Sequence, residues 1–385
     1  MRILIVKLSS IGDVVHALPA AALIRRALPD AHISWVVERR AGAILKASPA
    51  IDELVEIDAR AWRRHMLSAS TLDEIRARIG RLRGPLGAAG RAGLDVAIDF
   101  QGLLKSGLVA KASGAARRIG FETAELREKA SRFFLTEQVE TAGFPHVIDK
   151  NLALARRAIT NAAADPTVNS AGPGDGYEFP ITVSPEDERY VERAISERGG
   201  GRFAIINPGG GWPTKLWPAG AYGQVADSLQ SMHGLVSFIT YGPAEEELAR
   251  AVSAASRSGA AAPLASTLKQ FVALARRADL FIGGDTGPLH LAAASGTPIV
   301  GIYGPTSPER NGPFDSRDIT VGRGLWCRQN CHRRSCWHWE CMDIPVGEVV
   351  RAAAMRLAPE NLGVERHGSG SSILPVALKA SDRTR

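Results

Sequence analysis

The chain has 385 residues, 45% hydrophobic and 23% charged, which excludes a disordered, collagenous or disulfide-framework protein. At roughly 100–200 residues per domain, that length predicts two domains, each burying its own core. The excess of 47 Lys+Arg over 40 Asp+Glu gives a net charge of +7, enough to hint at an anionic partner but not to say which.

No run of about 18 uncharged apolar residues occurs, so no membrane span is expected. The opening Met1-Arg-Ile-Leu-Ile-Val-Lys7 is too short for the apolar core of a secretory signal, and the expected location is the cytoplasm. Residues 2–6 form a short β-branched run that predicts a first strand. A Ser/Gly turn, an amphipathic helix around Val14–Leu28 and a second strand at Ile33–Val37 follow. Strand–turn–helix–strand with continuous apolar strands is the opening βαβ unit of a parallel sheet. The pattern returns at Asp95–Asp99, which runs into Gln101-Gly102 and a further helix.

Residues 161–176, dense in Ala, Asp, Pro, Gly and Asn without periodicity, read as a linker. Strands then restart at Phe203–Ile206, Leu235–Thr240, Leu280–Ile282 and Pro298–Ile302, with helical stretches between. The expected fold is α/β: two Rossmann-like parallel-sheet domains facing a cleft, at 1–165 and 177–360, with a disordered tail at 361–385.

Four segments at predicted strand ends could carry chemistry. In Gly283-Gly-Asp285-Thr286-Gly287-Pro-Leu-His290 a strand turns into a helix, and the free N–H groups and dipole of that start suit a phosphate. An ordinary capped helix with a packed His290 would look the same. Asn207-Pro-Gly-Gly-Gly-Trp-Pro-Thr214-Lys215 is a Gly-rich loop whose lysine could neutralise a departing diphosphate, or be a solvated loop lysine. It lacks the Gly-x4-Gly-Lys-Ser/Thr spacing of a P-loop. In Lys7-Leu-Ser-Ser-Ile-Gly-Asp13 the carboxylate is either a helix cap or a general base for a sugar hydroxyl. The acidic start Glu245-Glu246-Glu247 either complements a helix dipole or accepts hydrogen bonds from a ribose.

Two clusters stand apart. Arg60, Arg63 and Arg64 flank Trp62, and Arg76, Arg78, Arg81 and Arg83 follow; a solvated helix face and an anion-binding patch both fit. All four cysteines, Cys327, Cys331, Cys336 and Cys341, fall in one short window with His332 and His338. They read either as reduced thiols in a compact loop or as a structural zinc site, with spacings looser than paired CxxC motifs. The window is expected to lie outside the chemistry.

Together the segments resemble glycosyltransferase family 9, the lipopolysaccharide heptosyltransferases. The likeness rests on Lys7-x-Ser-Ser-x-Gly-Asp13-Val-x-His16-x-Leu-Pro19, Trp35-Val-Val-Glu38 and Ile98-Asp-x-Gln101-Gly-Leu-x-Lys105-Ser106. Asp285-Thr-Gly-x-x-His290 and Tyr303-Gly-Pro-Thr306 complete it, in order over roughly residues 1–325. The resemblance implies a GT-B fold and an inverting reaction that needs no metal cofactor. It implies an ADP-heptose donor on the C-terminal domain and Kdo-lipid A as acceptor on the N-terminal one. Asp13 then corresponds to the general base and Lys215, beside Thr214, to the lysine near the donor diphosphate. Glu246 corresponds to the ribose-binding carboxylate, and Asp285, Thr286, Gly287 and His290 to the donor-binding turn. Arg60, Arg63, Arg64, Lys105 and Arg127 correspond to the acceptor-binding residues, although Arg127-Glu-Lys129 departs from the family's Arg-Glu-Pro. The implied setting is the cytoplasmic face of the inner membrane, with peripheral attachment.

Other classes fit less well. A family 9 transferase with another acceptor or sugar shares these motifs. A nicotinamide-dependent oxidoreductase needs Gly-x-Gly-x-x-Gly after the first strand, which Ser9-Ser-Ile-Gly-Asp13 lacks. A zinc-dependent nucleic-acid binder would combine the Arg run and the Cys window, but these lie far apart with few interleaved aromatics, so no nucleic acid is expected.

Overall fold

The computed structural model describes residues 1–58, 77, 80, 93–160, 176–325, 327, 331 and 335–358. The chain forms two compact units that divide between Thr182 and Val183. The expected linker at 161–176 lies, apart from Gly176, outside the described residues, as does the expected tail at 361–385.

The first unit carries six parallel strands: β1 (Arg2–Val6), β2 (His32–Glu38), β3 (Glu53–Ile57), β4 (Val96–Asp99), β5 (Arg117–Phe121) and β6 (Glu137–Val139). Their order is β3-β2-β1-β4-β5-β6. Ile3, Leu4, Ile5 and Val6 are fully buried, as a central strand covered on both faces requires. Ile3 pairs with Val96 and Val6 with Asp99, which aligns the C-terminal ends of β1 and β4. The helix expected at 14–28 is two helices, Ile11–Val15 and Leu18–Ala27. Pro19 stands in the first turn of the second, where its missing N–H and fixed φ start a helix rather than continue one.

The second unit repeats the plan with β7 (Phe203–Asn207), β8 (Val236–Tyr241), β9 (Ala261–Ala265), β10 (Leu280–Gly284), β11 (Ile299–Ile302) and β12 (Ile319–Val321). All pairings are parallel, in the order β12-β11-β10-β7-β8-β9. Numbered within each unit, both sheets run 3-2-1-4-5-6, the doubly wound order in which ligands bind where strands 1 and 4 diverge. The expected Rossmann-like pair of the GT-B type is therefore the fold adopted. Among the described residues no helix is long and apolar enough to cross a membrane.

The core of the second unit joins Ile206, Ile239, Ile282 and Val300 from the sheet to Trp217 from the loop after the Gly-rich segment and to Tyr222 and Val349 from flanking helices. One ion pair is sealed beneath it. Arg356, in the helix Val346–Arg356, donates from Nε to Asp318 Oδ1 at 2.9 Å, and both side chains are under 5% exposed. The same oxygen accepts the Ile299 N–H at 2.9 Å, fixing the last helix to the sheet edge. Removing one partner of such a pair strands a buried charge. Arg356→Ala is expected to cost about 3–5 kcal/mol in urea unfolding, whereas a surface change such as Arg257→Ala should stay within about 0.5 kcal/mol.

Candidate active site

Three of the four segments singled out by sequence lie at the C-terminal ends of the central strands of the two sheets, and the fourth follows β8. In the second unit β7 ends at Asn207, whose side-chain amide donates to the Thr240 carbonyl at 2.9 Å and so ties the ends of β7 and β8 together. The Gly-rich loop then descends to a short 3-10 turn, Pro213–Lys215. Next to it β10 ends at Gly284, and Thr286 precedes the helix Gly287–Ala294. Gly283 is required here, because a Cβ would lie 2.8 Å from the Asn207 carbonyl oxygen across the β7–β10 pair.

These elements place Lys215 Nζ 2.6 Å from Asp285 Oδ2 and 2.9 Å from the Asp285 carbonyl oxygen. The ammonium also lies 4.3 Å from the centre of the Trp212 ring, a cation–π distance. The other carboxylate oxygen of Asp285 accepts from Asn311 Nδ2 at 2.7 Å and meets His290 Nε2 at 3.1 Å. Burial alone would raise the pKa of Asp285. The hydrogen bond and charge of His290, with the charge of Lys215, outweigh it and hold the carboxyl well below the usual carboxylate range. Asp285 is thus a buried, ionised anchor that fixes one ammonium beside the start of a helix. Thr286 and Gly287 form that start, where unsatisfied N–H groups and the dipole attract an anion.

Glu246 does not join this group. It pairs with Arg250 at 2.6 Å on the exposed face of its own helix. Its neighbour Glu245 folds back instead and accepts the Gly242 N–H at 2.9 Å. A Cβ on Gly209 would sit 2.6 Å from the Glu245 carboxylate, so that carboxylate lies against the Gly-rich loop. The structure therefore puts the carboxylate nearest the loop one position before the residue expected from sequence.

In the first unit the loop after β1 carries Asp13 in the first turn of the helix Ile11–Val15. Its Oδ2 accepts from the Ser10 N–H at 2.9 Å and the Ser10 hydroxyl at 2.8 Å, while Oδ1 faces Lys7 Nζ at 3.8 Å. Its side chain keeps about a third of its surface open, at 31%. Desolvation raises the pKa of Asp13, but Lys7, the two Ser10 hydrogen bonds and the more distant charge of Arg127 lower it by more. One oxygen of Asp13 thus caps the helix, and the other faces the Lys7 ammonium. Lys7 donates to the Phe100 carbonyl at 2.6 Å, and Gln101 Oε1 accepts the N–H groups of Leu8 and Ser9, which ties the β1 and β4 loops. Lys105 is paired with Glu38 at 2.8 Å. Arg127 is exposed. Arg60, Arg63 and Arg64 lie outside the described residues.

The family model for glycosyltransferase family 9 (heptosyltransferase) matches residues 86–338, well over half the chain. The protein belongs to glycosyltransferase family 9. Lipopolysaccharide heptosyltransferase 1 of Pseudomonas aeruginosa is 27% identical over 337 residues, covering 87% of each chain. The Escherichia coli K12 protein of the same name is 26% identical over 83% of this chain and 92% of its own length. Among solved structures, E. coli ADP-heptose LPS heptosyltransferase II superposes with a TM-score of 0.70 at 21% identity, covering 93% of this chain and 98% of that one. E. coli heptosyltransferase WaaC with ADP-2-deoxy-2-fluoro heptose gives 0.67 at 23% identity, covering 87% and 96%, and at this identity both report the fold alone.

As a family 9 glycosyltransferase, the chain has two features that sequence reasoning missed. Asn311 reaches Asp285 from a separate short helix, Pro308–Asn311, and nothing in the local pattern signals it. The Cys window, expected to stand apart from the chemistry, touches the lysine loop: Trp339 Nε1 donates to the Thr214 carbonyl at 3.0 Å. Within that window Cys327 and Cys336 each lie 3.6 Å from a ring nitrogen of His338. Burial, then the neighbouring Cys331, Cys327 and Cys336, raise the Cys341 thiol. Among the described residues no group of three His, Cys, Asp or Glu side chains is arranged to hold a metal ion, so the zinc reading of Cys327, Cys331, Cys336 and Cys341 gains no support from the geometry.

Proposed function

We propose that this family 9 enzyme transfers heptose from ADP-heptose to a Kdo residue of Kdo-lipid A, with inversion, in building the lipopolysaccharide inner core. The observation that carries the reading is the Lys215–Asp285 pair at the start of the helix Gly287–Ala294, at the switch point of the second sheet. Relatives named lipopolysaccharide heptosyltransferase 1, covered over most of their length, support the choice of sugar and acceptor.

In this reading the donor diphosphate lies against the N–H groups of Thr286 and Gly287, with Thr214 and Lys215 on its other side. His290 and Asn311 keep Asp285 ionised and aimed at Lys215 rather than at the phosphates, which it would repel. Glu245 or Glu246 meets the ribose diol, and the fold-back of Glu245 favours the former. Asp13 Oδ1 takes the proton of the acceptor hydroxyl. That oxygen attacks the anomeric carbon, the bond to the diphosphate breaks, and ADP leaves with its electron pair. Arg60, Arg63, Arg64, Lys105 and Arg127 hold the acidic groups of the acceptor. Every charge in this scheme comes from a side chain or a helix terminus, and the reaction runs without a metal. The enzyme works peripherally at the cytoplasmic face of the inner membrane, where its lipid-linked acceptor is found.

The test is ADP release in the presence of ADP-heptose and Kdo-lipid A, with and without excess EDTA. Release should require both substrates and continue at an unchanged rate with EDTA. Release only with an acceptor already bearing heptose would transfer the assignment to a later core step, and abolition by EDTA would remove the metal-free mechanism.

A further inference from the structure

The helix Leu104–Ala112 and the 3-10 turn Lys129–Phe134 pack side by side in the first unit. Phe134 closes the seam between them, because a Cβ on Gly107 would lie 2.8 Å from its ring. Its neighbour Phe133 points the other way and is 71% exposed. Leu104 and Leu108, one helical turn apart, are 39% and 52% exposed. Large apolar side chains left this open on two elements packed against each other mark an interaction surface rather than random scatter.

The charges around them are of one sign. The two elements carry Lys105, Lys111, Lys129 and Arg132 and not a single Asp or Glu. Lys105 is engaged by Glu38, so Lys111, Lys129 and Arg132 form the rim. Arg132 lies 4.7 Å over the Phe133 ring and Lys111 5.8 Å from the Phe134 ring, so both cations stay beside the aromatics. Glu128, the acidic residue adjoining the turn, is occupied by the Leu104 N–H at 2.6 Å.

We propose that this face docks on an anionic lipid bilayer, with Phe133, Leu104 and Leu108 entering the headgroup region and Lys111, Lys129 and Arg132 against lipid phosphates. The rim decides the occupant: a second copy seated on the same face would set these cations against their own kind, whereas anionic lipid neutralises them. An apolar centre with a basic rim is the arrangement that binds interfacially, through buried apolar area plus attraction to anionic headgroups. The inference deepens the proposed function, since it names the surface that would bring the enzyme to a lipid-linked acceptor.

The test is co-sedimentation of the full chain with vesicles of phosphatidylethanolamine and phosphatidylglycerol, against vesicles of phosphatidylcholine alone. Binding is expected only with the anionic vesicles and should weaken with added salt. Lys111→Glu with Arg132→Glu should lower vesicle affinity more than about 25-fold, from about fivefold for each cation removed and more for each charge reversed. Leu108→Ser with Phe133→Ser should lower it at least tenfold, and both double variants should keep the wild-type far-ultraviolet circular dichroism and urea unfolding midpoint, which shows that both units fold. Equal binding to phosphatidylcholine, or unaltered binding by either variant, overturns the proposal. So does a wild-type dimer that parts on Leu108→Ser/Phe133→Ser without vesicle binding, which makes the occupant a second copy. Because sedimentation needs no donor or acceptor, its failure leaves the proposed transfer reaction standing. Loss of transfer to a soluble acceptor with intact sedimentation does the reverse.

Discussion

Asp13→Asn is expected to lower kcat for heptose transfer by about 10²–10⁴ while ADP affinity stays at the wild-type value. The amide keeps an oxygen that can accept from the Ser10 N–H and hydroxyl, so the cap at the start of the helix Ile11–Val15 is preserved in shape. What is lost is the negative charge and the proton acceptor. If Asp13 were a cap alone, Asn, itself a good capping residue, would restore activity as well as stability, so full activity in Asp13→Asn sinks the base assignment. The pH profile gives a second readout. Burial pushes the Asp13 pKa up, but Lys7 and the Ser10 hydrogen bonds push it further down, so the carboxyl is ionised at every pH above the ordinary value of 3.8. A rate that needs the ionised form is then flat on the acid side of neutrality and falls only below that value. Removing Lys7 as a charge, in Lys7→Met, leaves desolvation less opposed and should move the acid limb upward, toward neutrality. An unmoved limb would show that another group sets it.

The central strands of both sheets were legible because burial on two faces demands uninterrupted apolar runs, as in Ile3–Val6 and Phe281-Ile282. The outer strands were not. The last strand of each sheet, β6 or β12, is three residues long, and β3 and β5 carry partly exposed charged residues. β9 contains Pro263, which an edge strand tolerates and an interior one does not. None of these has a periodicity that a local reading can separate from loop. The site divides along the same physical line. Residues that sit at the end of an apolar strand, such as Asp13, Lys215 and Asp285, announce themselves by strand, glycine and polar residue in succession. Asn311 and Trp339 join the group only through tertiary contacts between segments distant in sequence, so their spacing carries no signal. Glu245 and Glu246 are indistinguishable by pattern because both lie at a helix start, where either would complement the dipole. The backbone turn that presents Gly242 to one of them separates the two.

Lys215→Ala should lower kcat/KM by about 10²–10³, the range seen when one preorganised group that stabilises a leaving anion is removed. The fold should survive, because His290 and Asn311 still contact the Asp285 carboxylate from the side opposite the lysine. Asp285→Ala should cause a loss of similar size for a different reason. The ammonium keeps its charge but loses the 2.6 Å contact that aims it, and a flexible lysine stabilises the departing diphosphate less well. This makes Asp285 a positioning residue acting through Lys215, and a double-mutant cycle separates that role from direct contact with the donor. If Asp285 works by aiming the lysine, Lys215→Ala/Asp285→Ala is no slower than Lys215→Ala alone, because there is nothing left to aim. If its carboxylate meets the donor itself, the two losses multiply. Asp285→Asn is the milder companion: it keeps the contact and removes the charge, so it should retain more activity than the alanine variant and bind ADP at least as tightly. Tighter ADP binding together with a lower kcat is the signature of a carboxylate that repels the diphosphate in the ground state and orients its lysine in the transition state.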